Sequence, residues 1–204
     1  MEEKEEKRMA GNYEITSSIH IGEKEIVFGV DETDPQPYFC AYFREVFMYG
    51  QYEDCMAGDD YVEMVELFAG RIQEQCSRLL EEREKMTVPF ETIKAEMCRP
   101  FFPEEDIAGK VVVISPEVLR PEYRQQAEQI VLVTGGNGAN GRGLGSACFC
   151  INLYTGEEAR WERYQLQGEL KPECMPEWAK EKLAEMQAKE KEKTKKQKKD
   201  REVR

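Results

Sequence analysis

Between residues 13 and 30 apolar and polar positions alternate. Tyr13 to Ile21 (YEITSSIHI) reads as a strand, Gly22-Glu23-Lys24 as a turn, and Glu25 to Val30 as the return strand of a hairpin. Residues 31–37 (DETDPQP) form a loop rich in Asp and Pro. Residues 38–50 (YFCAYFREVFMYG) predict one or two further strands. From 58 to 86 the period changes. Val62, Val65, Leu67, Phe68, Ile72, Cys76 and Leu79 fall mostly at i, i+3, i+4 and i+7 spacings, the stripe of an amphipathic helix. Asp59 or Asp60 can cap it, and Asp60-Tyr61-Val62-Glu63 approximates a capping box. Acidic residues at its start suit the helix dipole. Gly70 in its middle is a mild cost.

Residues 88–109 are broken by Pro89, Pro100 and Pro103 and predict a linker with one short helical turn. Residues 110–115 (KVVVIS) read as a buried strand. A short helical or turn segment follows over 116–129, with Pro116 at a first-turn position. Residues 129–135 read as a strand, and 146–168 as a long hairpin turning at Thr155-Gly156, its return strand over 158–166. Residues 176–204 predict a helix that fades into a Lys-rich tail. The order β-rich, helix, β-rich, helix predicts the α+β class, with antiparallel sheets, a long amphipathic helix over 58–86 and a C-terminal helix. The expected organisation is a disordered leader 1–11, a hairpin-and-helix domain 12–87, a Pro-rich linker 88–108, an antiparallel β domain 109–187 with a Gly-rich loop, and a Lys-rich tail 188–204.

Between two of these strands, Gly136-Asn137-Gly138-Ala139-Asn140-Gly141 spells G-x-G-x-x-G. A dinucleotide site needs a helix after those glycines, because the helix N-terminal amides and dipole hold the pyrophosphate. Here the next run is SACFCINLY, with Phe149, Ile151 and Leu153 on one face, so it reads as a strand. No Lys-Ser/Thr pair follows, which also excludes a Walker A loop. Two readings stay open: a flexible connection whose glycines permit a wandering path, and an exposed loop that touches a partner through Asn137, Asn140 and Arg142.

Apolar residues make up 40% of the chain and charged residues 34%, which suits a globular body with charged appendages rather than a disordered chain. The start MEEKEEKRMA has no apolar core and reads as no signal peptide. No run approaches the roughly 18 apolar residues of a membrane span. With no secretion signal and an odd number of cysteines, the expected location is the cytoplasm. The net charge of −12 is uneven. Residues 180–204 carry 11 Lys/Arg against 6 Asp/Glu, and residues 1–179 carry 18 against 35. An acidic body repels nucleic acid and attracts basic partners, among them the grooves of nucleic-acid-binding proteins.

The seven cysteines are odd in number and predict reduced thiols. Cys148-x-Cys150 is the only close pair and His20 the only histidine, so neither a structural zinc site nor a Ser-His or Cys-His arrangement is expected. No cofactor or metal is predicted. In ARWERYQL (159–166) Trp161 and Arg163 fall on one strand face, and Arg160, Glu162 and Tyr164 on the other. With Arg120, Arg124 and Arg142 they would make a small basic patch. Basic residues interleaved with aromatics can stack on bases, and they also suit a half-buried strand.

The words SPEVLRPEYR, TGGNG, LYTGE, RWERY and MPEWAKEKL, with IGEKEIVFGVD and AGDDYVEMVELFAGRIQEQ in the first half, carry a resemblance. The chain resembles, over residues 12–187, uncharacterised accessory proteins of conjugative and other mobile elements of gut Clostridia and related Firmicutes. That setting implies an anti-defence role, of which anti-CRISPR and anti-restriction proteins are examples. The function expected is a non-enzymatic inhibitor that binds a host nuclease or its nucleoprotein complex, a type II CRISPR-Cas effector, through an acidic surface. Asp59, Asp60, Glu63 and Glu66 at the helix start, and Glu104, Glu105 and Asp106 after the linker prolines, are the expected contacts. The alternative is a nucleic-acid-binding factor of conjugation or replication that uses Arg142, Arg160, Arg163 and the 189–204 tail. A third reading is an enzyme with the glycine loop as a lid.

Overall fold

The computed structural model describes residues 7–46 and 49–202, with the backbone alone for Val46 and 190–202. The chain divides into two compact units, Met1–Met86 and Thr87–Arg204. Both build antiparallel sheets, and each carries one long helix, so the class is α+β as the sequence predicts.

The first unit is a five-stranded meander: β1 (Met9–Ala10), β2 (Tyr13–Ile21), β3 (Lys24–Val30), β4 (Tyr38–Val46) and β5 (Tyr49–Gly58), paired in sequence order. The aromatic run at 38–50 thus divides between two strands. The second of them continues through QYEDCMAG, where the polar side chains of a half-exposed edge strand hide the period. Helix α1 (Tyr61–Lys85) covers the sheet face made by Ile26, Phe28, Cys40 and Tyr42. Val65, Leu67, Phe68 and Ile72 pack there, partly buried, as the spacing predicts, and the apolar area they remove from water favours folding. Two stripe residues behave differently: Val62 and Cys76 are exposed, while Met64, Arg71 and Gln75 are buried. Arg71 is held inside by donating to Asp54 O (2.6 Å) and by lying over the Tyr42 ring (4.9 Å). The other sheet face buries Ala10, Val27, Phe39 and Ala41.

Residues 7–11 of the expected disordered leader are ordered. Arg8 donates to both carboxylate oxygens of Glu25 (2.6 and 2.9 Å), and the Tyr52 hydroxyl donates to Met9 O (3.2 Å). The rest of that leader lies outside the described residues.

The second unit holds β6 (Cys98–Arg99), β7 (Val111–Ile114), β8 (Ile130–Gly135), β9 (Ala147–Asn152), β10 (Glu158–Glu162) and β11 (Leu166–Leu170) in the order β10-β9-β8-β7-β11-β6. The short helix α2 (Gln126–Gln129) precedes β8, and α3 (Glu177–Glu202) ends the chain. One sheet face packs on Trp178, Ala179, Leu183 and Met186 of α3, the other on Ile107, Phe101 and the glycine loop. The backbone of α3 continues helical through most of the predicted Lys-rich tail.

Two expectations give way here. The 88–108 stretch is no linker: Ile93, Cys98 and Ile107 are buried core residues, because the prolines break regular structure without keeping the side chains between them out of the core. The expected strand 158–166 is also cut in two. A 3₁₀ turn at Arg163–Gln165, closed by a Glu162/Gln165 capping box, redirects the chain, and Leu166 opens a strand that inserts between β7 and β6.

Candidate functional site

The first unit concentrates acidic residues at one end of its sheet. Register pairs Val30↔Tyr38 and Tyr38↔Gly58 place three element ends side by side: the end of β3, the start of β4 and the end of β5. The loop 31–37 leaves from the first, and Asp59 and Asp60 follow the last. Asp31 folds the loop by accepting from Thr33 N (2.9 Å) and Thr33 Oγ1 (2.7 Å), and Asp34 accepts from Gln36 N (2.8 Å). Tyr13 closes over the loop by donating to Gln36 O (3.0 Å). Burial raises the Tyr13 phenol's pKa, and the nearby Asp34 and Asp31 raise it further. Asp60 is the N-cap, accepting from Val62 N (2.8 Å) and Glu63 N (3.0 Å).

This end therefore carries Asp31, Glu32, Asp34, Asp59, Asp60 and Glu63, with Glu66 one turn along α1. Amid them Tyr61 and Val62 are 55% and 72% exposed. Tyr61 is fixed edge-on against Tyr38 (5.2 Å) and Phe28 (6.1 Å), so the apolar part of the surface is rigid. Asp59, Asp60, Glu63 and Glu66 are the acids the sequence predicts here, whereas Asp31, Glu32 and Asp34 join them only through the fold. Three acids within DETDP were the available signal. The unit as a whole carries 9 Lys/Arg against 21 Asp/Glu, whereas Thr87–Arg204 carries 20 of each, so the first unit holds the entire −12.

The other acidic candidates lie in the second unit and have structural partners. Glu105 and Glu169 share Arg99 and Lys110 in a four-membered ion network. Arg99 first, and Lys110 next, hold the Glu105 carboxyl far below the usual range. Asp106 accepts from Gly141 N (2.9 Å) and so anchors the glycine loop. Glu104 is exposed.

That loop is compact, not a wandering connection. Ala139 O accepts from Ile107 N (2.8 Å), and Gly138 and Ala139 are buried. A Cβ on Gly138 would lie 2.1 Å from Ser146 O, and one on Gly141 would lie 2.1 Å from the Glu104 carbonyl, so these glycines serve close backbone approach. Arg163 is the pin. It donates to Gly138 O (2.7 Å), Glu105 O (2.9 Å) and Phe102 O (3.2 Å) and lies over the Phe101 ring (5.4 Å). Arg160 pairs with Glu162 (2.5 Å), and Arg124 Nε donates to Leu119 O (3.0 Å). Asn140 accepts from Arg142 N (2.9 Å), and the side chains of Asn137, Asn140 and Arg142 are exposed at the loop surface.

Cys148 and Cys150 face the core together, and burial pushes the Cys150 thiol up to about 12. His20 is exposed on β2. An open hollow of about 290 Å³ lies over the outer face of β8–β10, lined by Thr134, Phe149, Ile151, Glu158 and Arg160 among others. Among the described residues no three His, Cys, Asp or Glu side chains gather to hold a metal ion, and no helix is long and apolar enough to cross a membrane. No family model, curated protein or solved structure matches the chain.

Proposed function

We propose that the protein is a non-enzymatic binding protein whose acidic first unit occupies a basic, nucleic-acid-binding groove of a partner. The carrying observation is that Met1–Met86 holds the whole net charge of −12, with acids from two separate loops gathered at one end of its sheet. Such a surface speeds encounter with a basic groove and competes there with phosphates. The resemblance to mobile-element accessory proteins makes the partner a host nuclease, specifically a type II CRISPR effector. The contacts are Glu32, Asp59, Glu63 and Glu66 around the exposed Tyr61 and Val62. Asp60, Glu105 and Asp106 drop out because their carboxylates hold structure in place. The nucleic-acid-binding alternative loses Arg163 to loop carbonyls, and keeps Arg142, the Lys-rich end of α3 and Arg160, which is exposed but shares its charge with Glu162.

The test is target-DNA cleavage by purified type II Cas nucleases, with the protein added before or after the guide RNA at two salt concentrations. Inhibition that weakens at the higher salt, and that the triple reversal Glu32→Lys/Asp59→Lys/Glu63→Lys abolishes, is the expected result. Inhibition indifferent to salt removes groove occupancy as the mechanism. No inhibition of several such nucleases removes the partner assignment.

A further inference from the structure

Two thiols of the second unit belong to one core cluster although 76 positions separate them in sequence: Cys98, buried on β6, and Cys174, half-buried in the 3₁₀ turn before α3. The backbone brings them together in steps. Cys98 lies opposite Leu170 in the β6–β11 ladder. Next to it Lys171 N donates to Met97 O (3.0 Å), and Lys171 Nζ donates to Glu96 O (2.8 Å). The chain then turns back on itself, with Cys174 N donating to Lys171 O (2.9 Å). Cys174 is therefore one tight turn from the residue hydrogen-bonded beside Cys98. Gln167 Nε2 approaches Cys98 Sγ at 3.5 Å. Burial raises the Cys98 thiol's pKa, Gln167 opposes this, and the neighbouring Cys174 adds to the rise.

We propose that Cys98 and Cys174 form an oxidant-responsive dithiol, a modification site that takes a peroxide and closes into a disulfide between β6 and the start of α3. Exposure assigns the roles. Cys174 meets solvent and reacts first: its sulfur attacks one peroxide oxygen, the O–O bond breaks, and the departing hydroxide leaves as water with the thiol proton, giving a sulfenic acid. Cys98 is buried and shielded from solvent, and the Cys174 sulfenic acid packed against the same cluster is the electrophile presented to it. The Cys98 sulfur attacks the Cys174 sulfur, the S–O bond breaks, and the hydroxide leaves as a second water with the Cys98 proton. Two thiols lose two hydrogens and two electrons, and one hydrogen peroxide becomes two waters. The remaining buried thiols, Cys40, Cys148 and Cys150, have no such solvent-facing neighbour in their clusters.

The test uses the full chain carrying Cys55→Ser and Cys76→Ser, which removes the two exposed thiols. The reduced protein is treated with hydrogen peroxide, blocked with N-ethylmaleimide, digested without reduction and read by mass spectrometry. The expected result is a peptide pair joining Cys98 to Cys174, two hydrogens lighter than the two thiol peptides and separated by reductant. With Cys98→Ser added, Cys174 should instead accumulate as the sulfinic acid. Recovery of Cys98 as the free or alkylated thiol while Cys174 is oxidised overturns the proposal, as does a linkage of Cys174 to any other cysteine. If the Cys98→Ser chain fails to fold, the linkage map of the parent decides alone.

Discussion

The two units use charge in opposite ways. In the first, 21 acidic residues face 9 basic ones, and at the end of the sheet Glu32, Asp59, Glu63 and Glu66 are exposed while Asp31, Asp34 and Asp60 hold only local turns and the helix cap. In the second, 20 face 20, and Glu105, Asp106, Glu162 and Glu169 are bound to Arg99, Lys110, Arg160 or the glycine-loop backbone. Connectivity differs in parallel. The first sheet pairs strands in sequence order and closes through hairpins, and its non-local polar ties, Arg8 to Glu25 and Arg71 to Asp54 O among them, use few of its acids. The second places β11 between β7 and β6 and packs irregular segments on a sheet face. Irregular backbone brings carbonyls and amides to the interior without ladder partners, and charged side chains satisfy them. A local topology leaves charge free for the surface, whereas a non-local one consumes it.

Breaking the pin of the second unit should cost most. Arg163→Ala removes three charge-assisted hydrogen bonds to loop carbonyls and is expected to destabilise that unit by about 3 kcal/mol. Both tryptophans, Trp161 and Trp178, lie in the second unit, so urea unfolding followed by tryptophan fluorescence reads it separately. Arg163→Lys should fail to restore the wild-type midpoint, since an ammonium cannot span three carbonyls as a planar fork does. Gly138→Ala, whose methyl meets backbone rather than a movable side chain, should cost roughly 2 kcal/mol in the same assay.

Acid should sharpen the contrast. The folded pKa values of Glu105 and Glu169 are depressed: Arg99 leads at Glu105, and at Glu169 burial works upward but the Arg99 and Lys110 bonds outweigh it. Depressed carboxylates contribute stability that is complete above the unfolded value of about 4.3 and lost as pH falls through it toward the folded values. The second unit should therefore weaken below about pH 4, and Glu105→Gln should flatten that dependence. A fluorescence midpoint independent of pH between 5 and roughly 2 would remove the network's role.

In the first unit the expected effects are smaller. Asp60→Ala removes the cap of α1 and should cost about 1 kcal/mol, seen by far-UV circular dichroism with the tryptophan signal unmoved. Asp59→Lys/Glu63→Lys should change stability by only about 0.5 kcal/mol, the surface and helix-dipole scale, while weakening binding to a basic partner. A loss of stability comparable to Arg163→Ala would mean these acids hold the fold and are not free for a partner.

Local pattern by itself determined much of this protein. Period two gave the first hairpin and period 3.6 gave α1, because alternation and helical spacing are set by neighbours in the chain. The strand after G-x-G-x-x-G was enough to reject a dinucleotide cradle. Composition located an acid excess but divided it at the Lys-rich tail, whereas the fold divides it at Met86. Only tertiary structure decided the rest. Arg163 reads as a strand cation and becomes a loop pin, because its three acceptors come from two distant segments, 102–105 and 138. The glycines read as freedom and serve contact, since what a missing Cβ makes room for is another part of the chain. Asp31, Glu32 and Asp34 join Asp59 and Glu63 through the β3–β4–β5 register. Sequence spacing encodes which face a residue takes within its own element, but which elements become neighbours is fixed by non-local pairing and backbone approach.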